Sequence, residues 1–187
     1  MNGDERHWIQ RARAGDAGAL RALYETHVDG IYRLAYRMGG NAMQAEDWTQ
    51  ESFVRAFSRL EGYRGEASFR TWLGAVAMSV ILTGLGRVRR DRSVLVPESE
   101  SAAAGVSQEP ADVALRLAVT QAIDELPDLL RSAFVLHEVE GFPVAEIAAM
   151  LDAPVGTIKA RLFRAREKLR ASLGEEIRPD PRHSEAQ

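Results

Sequence analysis

Between Ser93 and Ala111 the chain reads SVLVPESESAAAGVSQEPA, dominated by Ser, Ala, Glu, Pro and Gly, which together bury too little apolar surface to order themselves. This stretch is predicted to be a flexible linker. Divided there, 187 residues leave two parts, each suited to a small bundle rather than to one large core.

On either side the apolar residues follow a helical period. Leu20, Leu23, Tyr24, Val28, Ile31, Tyr32 and Ala35 recur at spacings of three and four behind Asp16, a good N-cap, and Gly39-Gly40 stops that helix. Asn41 can cap a second helix with Ala45, Trp48, Phe53, Ala56 and Phe57 as its apolar stripe. Gly62 to Ala67 reads as a loop, and Ser68 as the N-cap of a third helix carrying Phe69, Trp72, Leu73, Val76 and Val80 toward an arginine cluster. Past the linker, helical spacing resumes at Val113 and continues through Leu115, Leu117, Val119 and Ile123. Pro127 and Pro143 then suit the first turns of further helices, and the tail after Gly174 is expected to fray. With no strand signal of note, the fold class is all-α. Two small helical domains, an N-terminal bundle at 11–92 and a C-terminal four-helix domain at 112–174, are joined by the linker at 93–111 and expected to move independently.

A net charge of -3 argues against nucleic-acid binding only if charge is evenly spread, and it is not. Arg87, Arg89, Arg90 and Arg92 crowd one stretch; Lys159, Arg161, Arg164, Arg166, Lys168 and Arg170 crowd another. No uninterrupted apolar run approaches the roughly 20 residues that span a bilayer, the N-terminus has no apolar signal core, and there is no Cys. A cytoplasmic protein without membrane insertion is expected.

The sharpest local pattern is C-terminal. Pro143 to Leu151 forms a short amphipathic helix, Asp152-Ala153-Pro154-Val155-Gly156 a tight turn, and Thr157 to Leu169 a basic helix. Ile147, Leu151, Ile158, Leu162 and Leu169 can lock the pair, leaving Lys159, Ala160, Phe163 and Arg164 outward, as a helix-turn-helix presents its recognition residues. A solvated cationic helix is the plain alternative, with Phe163 then in the core. In the N-terminal half, Asp47, Gln50 and Glu51 share neighbouring turns and suit a basic protein partner. Tyr63-Arg64-Gly65-Glu66-Ala67-Ser68-Phe69-Arg70-Thr71-Trp72 mixes aromatics and Arg, a possible stacking platform for unpaired bases or simply core.

The runs AEDWTQESFVRAF, YRGEASFRTWL and ELPDLLRSAFVLHEVEGFPVAEIAAMLDAPVGTIKARLFRAREKL resemble the two conserved domains of extracytoplasmic-function (ECF) sigma factors, over about Asp16 to Leu173. The resemblance implies a non-enzymatic initiation factor whose partners are core RNA polymerase, promoter DNA and an anti-sigma factor, with no cofactor and no metal. Asp47, Gln50, Glu51 and Phe53 would dock on the coiled coil of the polymerase's largest subunit. Tyr63, Arg64, Phe69, Trp72, Ser79, Arg87, Arg89 and Arg90 would engage the minus-ten element, and Thr157, Lys159, Ala160, Arg161, Phe163 and Arg164 the minus-thirty-five element. The chain departs from the family's usual Arg-Ile-Ala-x-Asn pattern at Ala75 to Ser79 and again at Thr83 and Gly86. Gly74, Gly84 and Gly86, each costing a helix about 1 kcal/mol relative to Ala, are expected to fray it before Arg87.

Two other classes compete. A LuxR-type regulator shares the helix-turn-helix outline, but its first half as a receiver needs strands, for which 1–92 has no convincing signal. For a hydrolase or other enzyme, His7, His27, His137 and His183 lack metal-ligand spacing and no phosphate-binding glycine loop is present.

Overall fold

In a computed structural model, which describes residues 3–92 and 110–173, every regular element is helical among the described residues. The N-terminal part holds α1 (Gly3–Arg13), α2 (Ala17–Gly39), α3 (Ala42–Ser58), a single 3-10 turn at Leu60–Gly62 and α4 (Phe69–Arg92). The C-terminal part holds α5 (Pro110–Asp124), α6 (Asp128–Phe134) continuing into a π-helical turn at Val135–Val139, α7 (Val144–Met150) and α8 (Val155–Leu173). The tail after Gly174, with His183, and residues 93–109 lie outside the described residues. Pro110 and Ala111, expected to close the linker, already belong to α5.

The caps fall where side-chain chemistry places them. Asp16 Oδ1 accepts from Ala19 N at 3.1 Å, Asn41 Oδ1 from Gln44 N at 3.1 Å and Ser68 Oγ from Thr71 N at 3.0 Å, each satisfying an amide that the helix start leaves open. α1 was missed because its apolar positions, Trp8, Ile9 and Ala12, are few and sit among charges; Ile9 and Ala12 are nonetheless buried against α2.

α4 is the central element of the N-terminal bundle, packed on α2 and α3, and it runs unbroken to Arg92. The expected fraying is therefore corrected, and the glycines explain it. A Cβ on Gly84 would collide with the Trp48 indole, which also covers Gly39, and a Cβ on Gly74 would collide with the Met150 methyl. At these two positions the missing side chain is filled by a neighbour's bulk, and burying groups as large as Trp or Met offsets a propensity cost of about 1 kcal/mol. By length and composition Phe69–Arg90 could cross a membrane, with a mean hydropathy of 1.4, but 44% of that window is buried by its neighbours. Its apolarity answers to packing on several sides.

The two parts are docked, contrary to the expectation of independent movement. Ala133, Val135, Leu136, Phe142, Ile147 and Met150 join Leu73, Ala77, Met78 and Ile81 in one continuous apolar core, with α7 against α4. Around it, Arg70 Nη2 donates to Glu140 O at 2.7 Å with its guanidinium 4.2 Å from the Phe142 ring centre. Thr71 Oγ1 donates to Glu146 Oε2 at 2.5 Å, and Arg89 pairs with Asp128. A linker's polarity says nothing about whether the modules it joins carry complementary faces, and here α4 and α7 do.

Candidate nucleic-acid interface

The helix-turn-helix forms as expected, with its turn shifted. Asp152 adopts φ 45° just past α7, Ala153 N donates to Ala148 O at 2.9 Å, and α8 begins at Val155 rather than Thr157. Ile147, Ile158, Leu162, Ala165 and Leu169 are buried between and beneath the two helices. Lys159, Ala160 and Arg164 are exposed, Thr157 and Arg161 half-buried, and Phe163 is 59% exposed, so it belongs to the surface and not to the core. Arg166, one turn further, is tied to Glu138 and faces the π-helical turn. α8 thus offers Lys159, Ala160, Phe163 and Arg164 on one projecting side, with dimensions suited to a major groove.

The residues expected at the minus-ten element divide differently. Arg64, Ser79 and Arg87 are exposed and Trp72 is half-buried, but Tyr63 and Phe69 are buried, and neither can offer a face to a base. Phe69 stands at the centre of a cluster of rings, its centroid 5.3 Å from His27, 5.6 Å from Tyr63 and 5.6 Å from Trp72. The Tyr63 hydroxyl donates to Ala67 O at 2.7 Å, closing the loop on itself, and burial together with the Glu5 carboxylate pushes its ionisation above the ordinary tyrosine range despite Arg13 and Arg6. Arg89 is committed to Asp128, and Arg90 Nε donates back to Gly86 O at 3.1 Å. The exposed loop and Trp72, with Thr71 and Ala75, line one side of a cavity of about 350 Å³; Ala149 and Met150 of α7 close the other.

On α3, Asp47 and Gln50 are exposed and Glu51, half-buried, pairs with Arg55. Phe53, expected both in the apolar stripe of α3 and as a docking contact, keeps only the first role: it is buried, 4.7 Å from the Tyr24 ring and 5.6 Å from Phe57. Sequence reasoning missed Met43 and Val54, each 69% exposed, which flank the acidic group along one face of the helix. Their spacing, Met43, Asp47, Gln50 and Val54 at three- and four-residue steps, was the available signal.

An all-α chain with a surface helix-turn-helix in one half and an exposed, apolar-flanked helix face in the other has the outline of a DNA-binding transcription factor. Residues 23–92 match the family Sigma-70 region 2, and residues 116–169 match Sigma-70, region 4. Over 176 residues the chain is 35% identical to the ECF RNA polymerase sigma factor SigW of Bacillus subtilis, covering 88% of this chain and 94% of that protein. It is 33% identical over 176 residues to the RNA polymerase sigma-H factor of Pseudomonas aeruginosa, covering 88% and 91%. The chain belongs to the ECF class of the sigma-70 family and acts in promoter-specific transcription initiation. Two solved structures share its fold: the sigma factor RpoE with the anti-sigma factor NepR from Bartonella quintana (TM-score 0.69, 19% identity, 83% of this chain and 97% of that one) and CnrH with the cytosolic domain of CnrY (TM-score 0.66, 24% identity, 90% and 96%).

Proposed function

We propose that the chain is the promoter-reading subunit of a cytoplasmic RNA polymerase holoenzyme, with no chemical step of its own. The face of α3 formed by Met43, Asp47, Gln50 and Val54 docks on the coiled coil of the polymerase's largest subunit, a mixed apolar and acidic patch suited to a basic partner surface. The exposed loop at 64–68, with Trp72 and Ser79, takes the minus-ten strand; Arg87 and Arg90 steer its phosphates, and Tyr63 and Phe69 support the loop from below. Lys159, Ala160, Phe163 and Arg164, flanked by Thr157 and Arg161, read the minus-thirty-five duplex. The division runs from the N-terminal unit ending at Arg92 to the C-terminal unit beginning near Pro110, and an anti-sigma factor is the natural inhibitor, by analogy with the complexes of the structural relatives.

The observation that carries this reading is the projecting side of α8 in a chain whose other half presents an exposed acidic face on α3. Transcription from a promoter library with core polymerase tests it. Transcripts from a discrete set of promoters, lost when α8 carries Lys159→Ala with Arg164→Ala, are the expected result. Transcription from those promoters by core polymerase that does not require this chain would point to a LuxR-like regulator instead.

A further inference from the structure

The segment ahead of both family-matched regions contains α1, and α1 is fastened to the loop proposed to take the minus-ten strand. Arg13, in its last turn, sends Nε to Leu60 O at 3.2 Å and Nη2 to Tyr63 O, so one planar guanidinium grips two carbonyls at the entry of that loop. Leu60 O also accepts from Tyr63 N at 3.2 Å, so the same carbonyl defines the 3-10 turn. The other end of α1 is fixed as well: Glu5 Oε1 meets His27 Nε2 at 2.8 Å, both side chains largely buried, and the His27 ring leans on Phe69.

Residues 64–68 are exposed and Gly65 adopts φ +77°, so apart from the Tyr63 hydroxyl's bond to Ala67 O little within the loop holds it in one shape. Its exit is fixed by the Ser68 cap of α4. Its entry is fixed by a side chain from a different helix. A loop ordered before its ligand arrives does not lose that conformational freedom on binding.

We propose that Arg13 is a positioning residue for minus-ten capture, holding the loop entry in its binding shape without touching DNA. The proposal rests on the reading of the loop given above, and its test separates the two. Holoenzyme assembled from core polymerase and the full chain is titrated with a fluorescent single-stranded minus-ten oligonucleotide and, separately, with minus-thirty-five duplex. Amide exchange over residues 60–68 is followed in the free chain. Arg13→Ala is expected to weaken the oligonucleotide about tenfold and to speed exchange in the loop, with the duplex unaffected and Arg13→Lys recovering part of both losses. Equal weakening of oligonucleotide and duplex, or unchanged loop exchange, would overturn the proposal. Trp72→Ala is the control on the reading itself: if it leaves oligonucleotide binding untouched, the loop is not the minus-ten site and the proposal falls with that assignment. If Trp72→Ala weakens binding and Arg13→Ala does not, the site stands and only the brace is refuted.

Discussion

Phe69 and Phe163 both sit beside arginines at the helical surfaces assigned to DNA, yet one is fully buried and the other is 59% exposed. The region around Phe69 uses its aromatics for support: the rings of Tyr63, Phe69 and Trp72 pack edge-on and tilted against one another under a short loop, which is then braced from α1 and roofed by α7. The region around Phe163 needs no such support, because an α-helix satisfies its own backbone and projects side chains at fixed angles. Aromatic content alone therefore does not identify a base-contacting residue: both phenylalanines stand on helices, and the one next to an irregular loop is turned inward beneath it.

Substituting the two phenylalanines tests this difference most strongly. Phe69→Ala should cost about 3–5 kcal/mol of folding stability in urea unfolding, whereas Phe163→Ala should change stability by no more than about 0.5 kcal/mol while weakening minus-thirty-five DNA. Equal stability losses would break the comparison. Next, Lys159→Ala and Arg164→Ala should each reduce duplex binding by about 1–3 kcal/mol, with altered base preference if they touch base edges and a uniform loss if they touch phosphates. Binding unchanged by both would mean that α8 presents another face.

A comparable effect, on docking rather than on DNA, is expected at the roof over the loop. Glu146→Gln with Arg70→Ala removes the charged acceptor of Thr71 and the guanidinium over Phe142, and should weaken docking by about 1–3 kcal/mol, read as a larger radius of gyration in solution scattering. An unchanged radius would assign docking to the apolar contact of α4 and α7 alone. The smallest effect belongs to Ser79→Asn. Ser79 is exposed and its carbonyl already accepts from Thr83 Oγ1 at 2.7 Å, so stability should move by less than about 0.5 kcal/mol. Its readout is minus-ten preference on randomised DNA: a shift indicates that the shorter hydroxyl had limited reach to a base edge, and no shift assigns the departure to drift at a tolerant position.

Helix positions, caps at Asp16, Asn41 and Ser68, and the helix-turn-helix were legible because each depends on residues within one or two turns of one another. The motifs also carried the family. The apolar stripe of α3 already placed Phe53 inward and Phe69 was open to either reading, but the burial of Tyr63 was not legible, since an aromatic in a short motif has the same local signature whether it faces solvent or another helix. The glycines of α4 misled for a related reason. Propensity penalises Gly74 and Gly84 locally, while the side chains that occupy their space, Met150 and Trp48, are distant in sequence. Docking of the two halves was hidden altogether, because it depends on the fit between α4 and α7 rather than on the composition of residues 93–111.

That docking sets a length problem. Promoter elements named for positions minus ten and minus thirty-five lie about 25 base pairs apart, or roughly 85 Å of B-form duplex at about 3.4 Å per pair. With α7 seated on α4, the two reading surfaces sit on one packed body, and a packed chain of this size has a radius of gyration of roughly 15 Å, too small to span that interval. The chain between Arg92 and Pro110 can extend to about 60 Å at most, enough to bridge most of the gap only once the halves part. DNA carrying both elements accordingly selects an opened form, and its apparent affinity falls by the fraction of chains still closed, tenfold for every 1.4 kcal/mol of docking. A duplex with the minus-thirty-five element alone meets an α8 whose outer side is already free. The ratio of affinities for the two DNAs, with and without polymerase, is thus a direct ruler of how much closing energy the polymerase removes.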